Sequence, residues 1–329
     1  WVNQRGVFSL DVRNDVFRDE KVASAQKWLR HGGGQHMELG IAENNLFIML
    51  AALGLSGPVF GTRLLPVGTL YDPFIARGLD ALNYACYQDA RFMLVATPAG
   101  ITLAPEGGAH QSISTPLIGM GQPGLISFEP TYADELAVIM KWGFEYMQED
   151  EGGSIYLRLS TRTINQPQRT ITPQLEKDIL GGAYWMIEPN KDSPLAIIYT
   201  GTVVPEVLDA FNDLKEDIPG LGLLSITSSD RLYHDWQRSL TISENREQPH
   251  LERLFSRLNR KAALITVQDG HPANLSWIGA TTGRRVYPLG LTEFGQSGNL
   301  PDLFRTYKID ADAIIQMAAR ASIDLASPR

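Results

Sequence analysis

Cysteine is almost missing from this 329-residue chain, where Cys86 stands alone. One thiol excludes an internal disulfide, so a reducing, cytoplasmic setting is the expectation. Cys86 lies in an apolar helical pattern and reads as a buried core residue rather than a nucleophile. Long apolar runs are missing too. None approaches the ~20 residues of a membrane-spanning helix, so no membrane partner is expected. Basic blocks are also absent: 29 Lys and Arg against 37 Asp and Glu leave a net charge of −8. Nucleic-acid binding needs clustered positive charge, so that function class is set aside. The phosphate-loop pattern G-x-x-x-x-G-K-[ST], a dinucleotide G-x-G-x-x-G and a hydrolase G-x-S-x-G are not found. No signal-peptide pattern surrounds Trp1. No His or Cys set has the spacing of a zinc site, and no metal ligand is assigned.

What the chain has is the material for sizeable cores, with 43% apolar and 20% charged residues. Its length suggests two domains. Short β-branched runs at Val59–Leu65, Phe92–Thr97, Gly124–Phe128 and Ile155–Ser160 read as strands buried on both faces. A second series follows at Ala196–Thr200, Leu223–Thr227, Leu264–Gln268 and Arg285–Leu289. Helical spacing lies between, at Glu43–Leu53, Asp72–Tyr84, Ala133–Met147, Pro205–Leu214, Leu251–Leu258 and Ala311–Ala321. In the first, Leu46, Met49, Leu50 and Leu53 share a face. This alternation predicts an α/β fold of two successive domains, each a mostly parallel sheet flanked by helices. Residues 1–165 and 185–329 form the expected domains, and the Pro- and Gly-punctuated residues 166–184 the linker. Trp1–Gly34 is weakly patterned, with a turn expected at Gly32-Gly33-Gly34.

Three segments can carry chemistry. In Glu38-Leu39-Gly40-Ile41-Ala42-Glu43, a carboxylate opens a strongly apolar helix. By itself it reads as a charge favoured by the helix dipole. In Pro105-Glu106-Gly107-Gly108-Ala109-His110-Gln111, two glycines stand between Glu106 and His110, after a buried strand. Open α/β sheets place their sites at that end, and His beside Glu suits acid–base work. In Leu70-Tyr71-Asp72-Pro73-Phe74, two aromatics three residues apart share a face that suits either core packing or stacking on a flat ring. Arg77, on the same stretch, fits either a substrate carboxylate or structural pairing. Asp269-Gly270-His271 with Asn274 reads as a turn.

These segments together resemble the transketolase superfamily. Gly40-Ile41-Ala42-Glu43 is similar to the family's G-I-x-E, and Glu106–Gln111 to its D-G-P-T-H-Q. Tyr71 and Phe74 lie where the family places an aromatic, and the three motifs keep the family's order. Leu289-Gly290-Leu291-Thr292-Glu293-Phe294-Gly295-Gln296-Ser297-Gly298 resembles the L-G-T-D-G-F-G-R-S of homodimeric pyruvate dehydrogenase first components, as does Ile126–Pro130. Glu106 replaces the sugar-contacting Asp of transketolases, and Pro98 stands in place of a second channel His. Both departures point away from sugar phosphates.

The resemblance implies a pyrimidine-binding domain followed by a transketolase carboxy-terminal domain. It implies thiamine diphosphate with magnesium as cofactor, Glu43 as the carboxylate on the aminopyrimidine, and Tyr71 and Phe74 as cofactor contacts. It also implies His110 as proton donor or polar contact near the substrate, oriented by Glu106. The diphosphate and metal site is expected on a domain absent from this chain, because no G-D-G…N segment is present. The chain is therefore expected to be a fragment of a longer homodimeric enzyme or a β-type subunit, inactive alone. Its expected partners are a second copy or a subunit carrying the diphosphate domain, a lipoyl acyltransferase and a small 2-oxoacid. The expected activity is decarboxylation of the 2-oxoacid with acyl transfer to lipoyl. Transketolase-type ketol transfer and a non-catalytic dimerising subunit are the alternatives.

Overall fold

The computed structural model describes residues 2–11, 20–21, 29–241 and 248–326. The chain forms two compact units, Trp1–Leu46 and Phe47–Arg329. In the first, β1 (Val7–Phe8) pairs in parallel with β2 (Arg30–His31). Residues 32 and 33 form a turn, and the backbone of Val7 crosses Gly34 so closely that a Cβ there would meet the Val7 carbonyl oxygen at 2.3 Å. Of the weakly patterned amino-terminal stretch, residues 1, 12–19 and 22–28 lie outside the described residues.

The second unit holds two sheets. The first contains β3 (Val67–Leu70), β4 (Met93–Ala96), β5 (Leu125–Phe128) and β6 (Ser154–Arg158), in the order β3-β4-β6-β5 and parallel throughout. The second contains β7 (Ala183–Ile187), β8 (Leu195–Thr200), β9 (Gly222–Ile226), β10 (Ala263–Val267) and β11 (Val286–Leu289), in the order β11-β10-β8-β9-β7. Only β7 runs antiparallel, against β9. Alternation explains how the second sheet is covered. Leu195, Ile197 and Tyr199 of β8 pack with Val207 and Phe211 of the helix Val204–Leu214 and with Ile314 of Ala311–Ala326. Ala196 and Ile198 point to the other face and pack with Leu251 and Phe255 of the helix His250–Phe255. On the first sheet, Met93, Ile155 and Leu157 pack against Ile139 of the helix Ala133–Tyr146. The expected α/β architecture of mostly parallel, helix-flanked sheets is therefore found.

Three local expectations differ from the structure. Val59–Leu65 is not a strand: Ser56–Phe60 is helical, Gly61 closes that helix, and the edge strand is Val67–Leu70. As an edge, this strand buries Gly68 and exposes Val67 and Thr69, so it lacks a continuous apolar run. The stretch read as a linker contains the helix Pro173–Gly181. Its punctuating residues are helix punctuation: the Thr172 hydroxyl accepts from the Leu175 amide, Pro173 opens the first turn, and Gly182 closes the helix at φ +107°. In the helix Glu43–Gly54, the buried face is Phe47, Leu50 and Gly54; Leu46, Met49 and Leu53 are only partly buried.

Candidate active site

Glu43 opens its helix after a turn in which the Ala42 amide donates to the Gly40 carbonyl at 3.1 Å. The helix ladder then starts, with the Leu46 amide donating to Ala42 at 3.0 Å. The carboxylate thus stands in the first turn, at the positive end of the helix dipole. Neighbouring Glu38 is engaged by Arg30 at 2.7 Å.

In the larger unit, Asp72–Gly78 is a 3₁₀ helix leading into the α-helix Leu79–Tyr87. Residues three apart eclipse in a 3₁₀ helix. Tyr71 and Phe74 accordingly meet edge to face, with ring centroids 5.8 Å apart. The His110 ring lies 5.4 Å from Phe74, so the structure brings together two of the motifs read separately. The Arg77 guanidinium stacks over the Phe74 ring at 3.8 Å, which places it in the aromatic cluster. Phe74 and His110 are half-buried and Tyr71 is exposed. Glu106 is exposed, and the ring contact of His110 is with Phe74.

The glycine loop is held by the carboxy-terminal motif. A Cβ on Gly108 would sit 2.0 Å from the Gly295 carbonyl oxygen, so only glycine permits this crossing. Beside it, the Gln111 side chain makes a two-way bridge: Nε2 donates to Gln296 O at 2.7 Å, and Oε1 accepts from the Gln296 amide at 3.1 Å. Glu106–Gln111 and Leu289–Gly298 are thus one structure.

Beneath this surface lies a buried ionic network. Arg158 ends β6 in full burial. Its Nε donates to Asp72 at 3.1 Å, Nη1 to Glu129 at 2.6 Å, and Nη2 to the Asp269 carbonyl at 2.9 Å. The Asp269 carboxylate accepts the Ile101 amide at 2.9 Å, joining the two sheets' loops. Two carboxylates and a backbone carbonyl therefore share one guanidinium, with the Asp269 carboxylate close enough to feel its charge. Desolvation, reinforced by the charges of Asp269 and Asp72 and opposed by Arg158, pushes Glu129 up to about 7. Burial pushes Asp269 up to about 6, against the pull of Arg158. A cavity of about 20 Å³, enough for one water, lies against Glu129, Arg158, Thr200 and Ser228. The sequence reading missed this network; its one signal was an arginine inside an otherwise apolar buried strand. Cys86 is buried, and desolvation pushes its thiol up to about 12, as suits a core residue.

Among the described residues, no group of three or more His, Cys, Asp or Glu could hold a metal ion. No helix there is long and apolar enough to cross a membrane.

Residues 16–167 match the family of the pyruvate dehydrogenase E1 component middle domain. The pyruvate dehydrogenase E1 component of Pseudomonas aeruginosa is 26% identical over 304 residues, covering 88% of this chain and 34% of that protein. A probable transketolase of Schizosaccharomyces pombe is 24% identical over 294 residues, covering 87% and 37%. Transketolase from Leishmania mexicana superposes with a TM-score of 0.70 at 17% identity, over 92% of this chain and 39% of that one. An inactive β4 tetramer of a split-gene transketolase gives 0.63 at 18% identity, over 96% of this chain and 91% of that one. Over most of its length the chain is thus similar to pyruvate dehydrogenase E1 components and to transketolases, and it shares the transketolase fold. The chain spans about a third of the length of the pyruvate dehydrogenase E1 relatives.

Proposed function

We propose that this chain supplies the pyrimidine-binding and carboxy-terminal parts, residues 1–165 and 185–329, of a 2-oxoacid dehydrogenase acting on pyruvate. The observation that carries the reading is the meeting of Phe74 and His110, with Tyr71 beside them, in a chain whose first half matches the pyruvate dehydrogenase E1 middle domain. The half-buried rings fit the aromatic, pyrimidine end of thiamine diphosphate. In this reading a subunit carrying the diphosphate-binding domain would hold the diphosphate and its magnesium. When bound, thiamine diphosphate supplies the nucleophilic carbon and the electron sink for decarboxylation.

The chain's own residues have distinct tasks in this reading. Glu43 exchanges a proton with the pyrimidine ring nitrogen, which a carboxyl group can do and an amide cannot. Tyr71 and Phe74 offer aromatic surface to the ring. His110 donates a proton or a polar contact to the substrate, and the exposed Glu106 adds negative charge to the same loop. The acyl group passes to a lipoyl group on an acyltransferase partner. The lone buried Cys86 suits a cytoplasmic setting.

A β-type subunit is the form of this reading favoured by one observation: the split-gene transketolase chain has nearly the same span as this one. Dye reduction by the complete enzyme, with the diphosphate-binding part present, tests the function. Pyruvate is expected to drive reduction and a pentulose phosphate to be inert. Ketol transfer from the sugar without oxidation of pyruvate would overturn the assignment in favour of a transketolase.

A further inference from the structure

Asp72 is fully buried, yet it stands two residues before Phe74 and is met by four donors. The Ser112 and Thr115 hydroxyls each donate to Oδ2 at 2.5 Å, and Arg158 Nε donates to the same oxygen at 3.1 Å. The Tyr156 hydroxyl donates to Oδ1. These donors come from a loop, the start of the helix Thr115–Gly121 and β6, so one carboxylate pins three elements to the aromatic segment.

Ser112 is the consequential partner. It lies two residues after His110 and is itself anchored, because its hydroxyl accepts the Gly100 amide at 2.8 Å. The Asp72–Ser112 bond therefore ties the segment bearing Phe74 to the loop bearing His110, two residues from each ring. The intervening Gln111 is already fixed by its bridge to Gln296. Rotation of one ring-bearing segment against the other must strain or break the Asp72–Ser112 bond.

We infer that Asp72 is a positioning residue, which through its bond from Ser112 sets the mutual orientation of the Phe74 and His110 rings while touching neither cofactor nor substrate. Its importance for the reaction rests on the reading of that ring pair as part of the active site; the geometric claim does not.

The test is proton–carbon NMR of the full chain with ¹³C-labelled histidine rings. The chain has 6 histidines, so the His110 signal is identified as the one lost in His110→Ala. Phe74→Leu removes the Phe74 ring current and marks the end of the scale. In Ser112→Ala the His110 Cε1 proton is expected to move toward its Phe74→Leu position. In Tyr156→Phe, which removes a comparable donor from Asp72 but leaves the Ser112 tie, the signal is expected to stay. General loosening of a buried network would move both alike. An unmoved His110 signal in Ser112→Ala, or equal movement in Tyr156→Phe, would overturn the inference. No cofactor is added, so the outcome is separate from whether the complete enzyme oxidises pyruvate.

Discussion

Glu43 illustrates how little a single residue reveals until its neighbours are known. A carboxylate in the first turn of a helix gains about 0.3–1 kcal/mol from the helix dipole, whatever its function. Glu43→Gln keeps the size and the helix, so the dipole's share of any stability loss is expected to be no more than about 1 kcal/mol. Proton exchange is a different matter, because an amide cannot take part in it. In the complete enzyme, Glu43→Gln is expected to cut pyruvate decarboxylation by a factor on the order of 10²–10⁴ while circular dichroism stays unchanged. Near-normal turnover would leave Glu43 as a helix-start charge only. At this scale, residue types were a partial guide. Glu43, Phe74 and His110 stand out as candidates because each lies in a local motif. Asp72, Glu129 and Asp269 do not, because what distinguishes them is burial around one guanidinium, contributed by segments up to 197 residues apart (Asp72 to Asp269).

Elements were most legible where burial is uniform. The central strands β4, β6, β8, β9 and β10 are buried nearly throughout and read as continuous apolar runs. All four edge strands bury only some positions; periodicity misplaced β3 and missed β7, but found β5 and β11. The glycine loop shows the same limit. Its two glycines announced a bend, which Gly107 makes at φ +96°, but the reason for Gly108 is a long-range crossing by Gly295 that no local pattern contains. That crossing makes a prediction about the loop. Gly108→Ala puts a methyl group 2.0 Å from a backbone oxygen, so the Gly295 segment must retreat and strain the Gln111–Gln296 bridge. Overpacking of this kind costs about 1–3 kcal/mol. Thermal unfolding of Gly108→Ala is expected to show that loss, and Gln111→Ala in the Gly108→Ala background should then cost less than it does alone. Additive losses would mean that loop and bridge are independent.

The molecule as a whole carries its electrostatic strain where the loops of the two sheets meet. The Glu129 amide donates to the Thr227 carbonyl at 2.8 Å, and its carboxylate meets Arg158, with the charges of Asp269 and Asp72 close by. Burial raises its pKa from 4.5 to about 7, so the folded chain holds this proton more tightly than the unfolded chain does. Its contribution to stability is therefore complete below the unfolded value of 4.5 and is lost as pH rises through about 7. The shift corresponds to roughly 3 kcal/mol as an upper bound. Asp269, raised to about 6 mainly by burial, acts in the same direction. His250 acts oppositely: burial lowers its pKa, so its contribution is lost as pH falls. The raw pH profile mixes these groups, and the difference between two chains separates them. Glu129→Gln keeps the acceptor for Arg158 but cannot ionise. Urea unfolding from pH 4.5 to 7.5 is expected to show the stability difference drifting toward the Gln chain by up to about 3 kcal/mol, most steeply from pH 5 to 7. A difference that stays flat across that range would mean that Glu129 is ionised throughout, with Arg158 outweighing both its burial and its acidic neighbours.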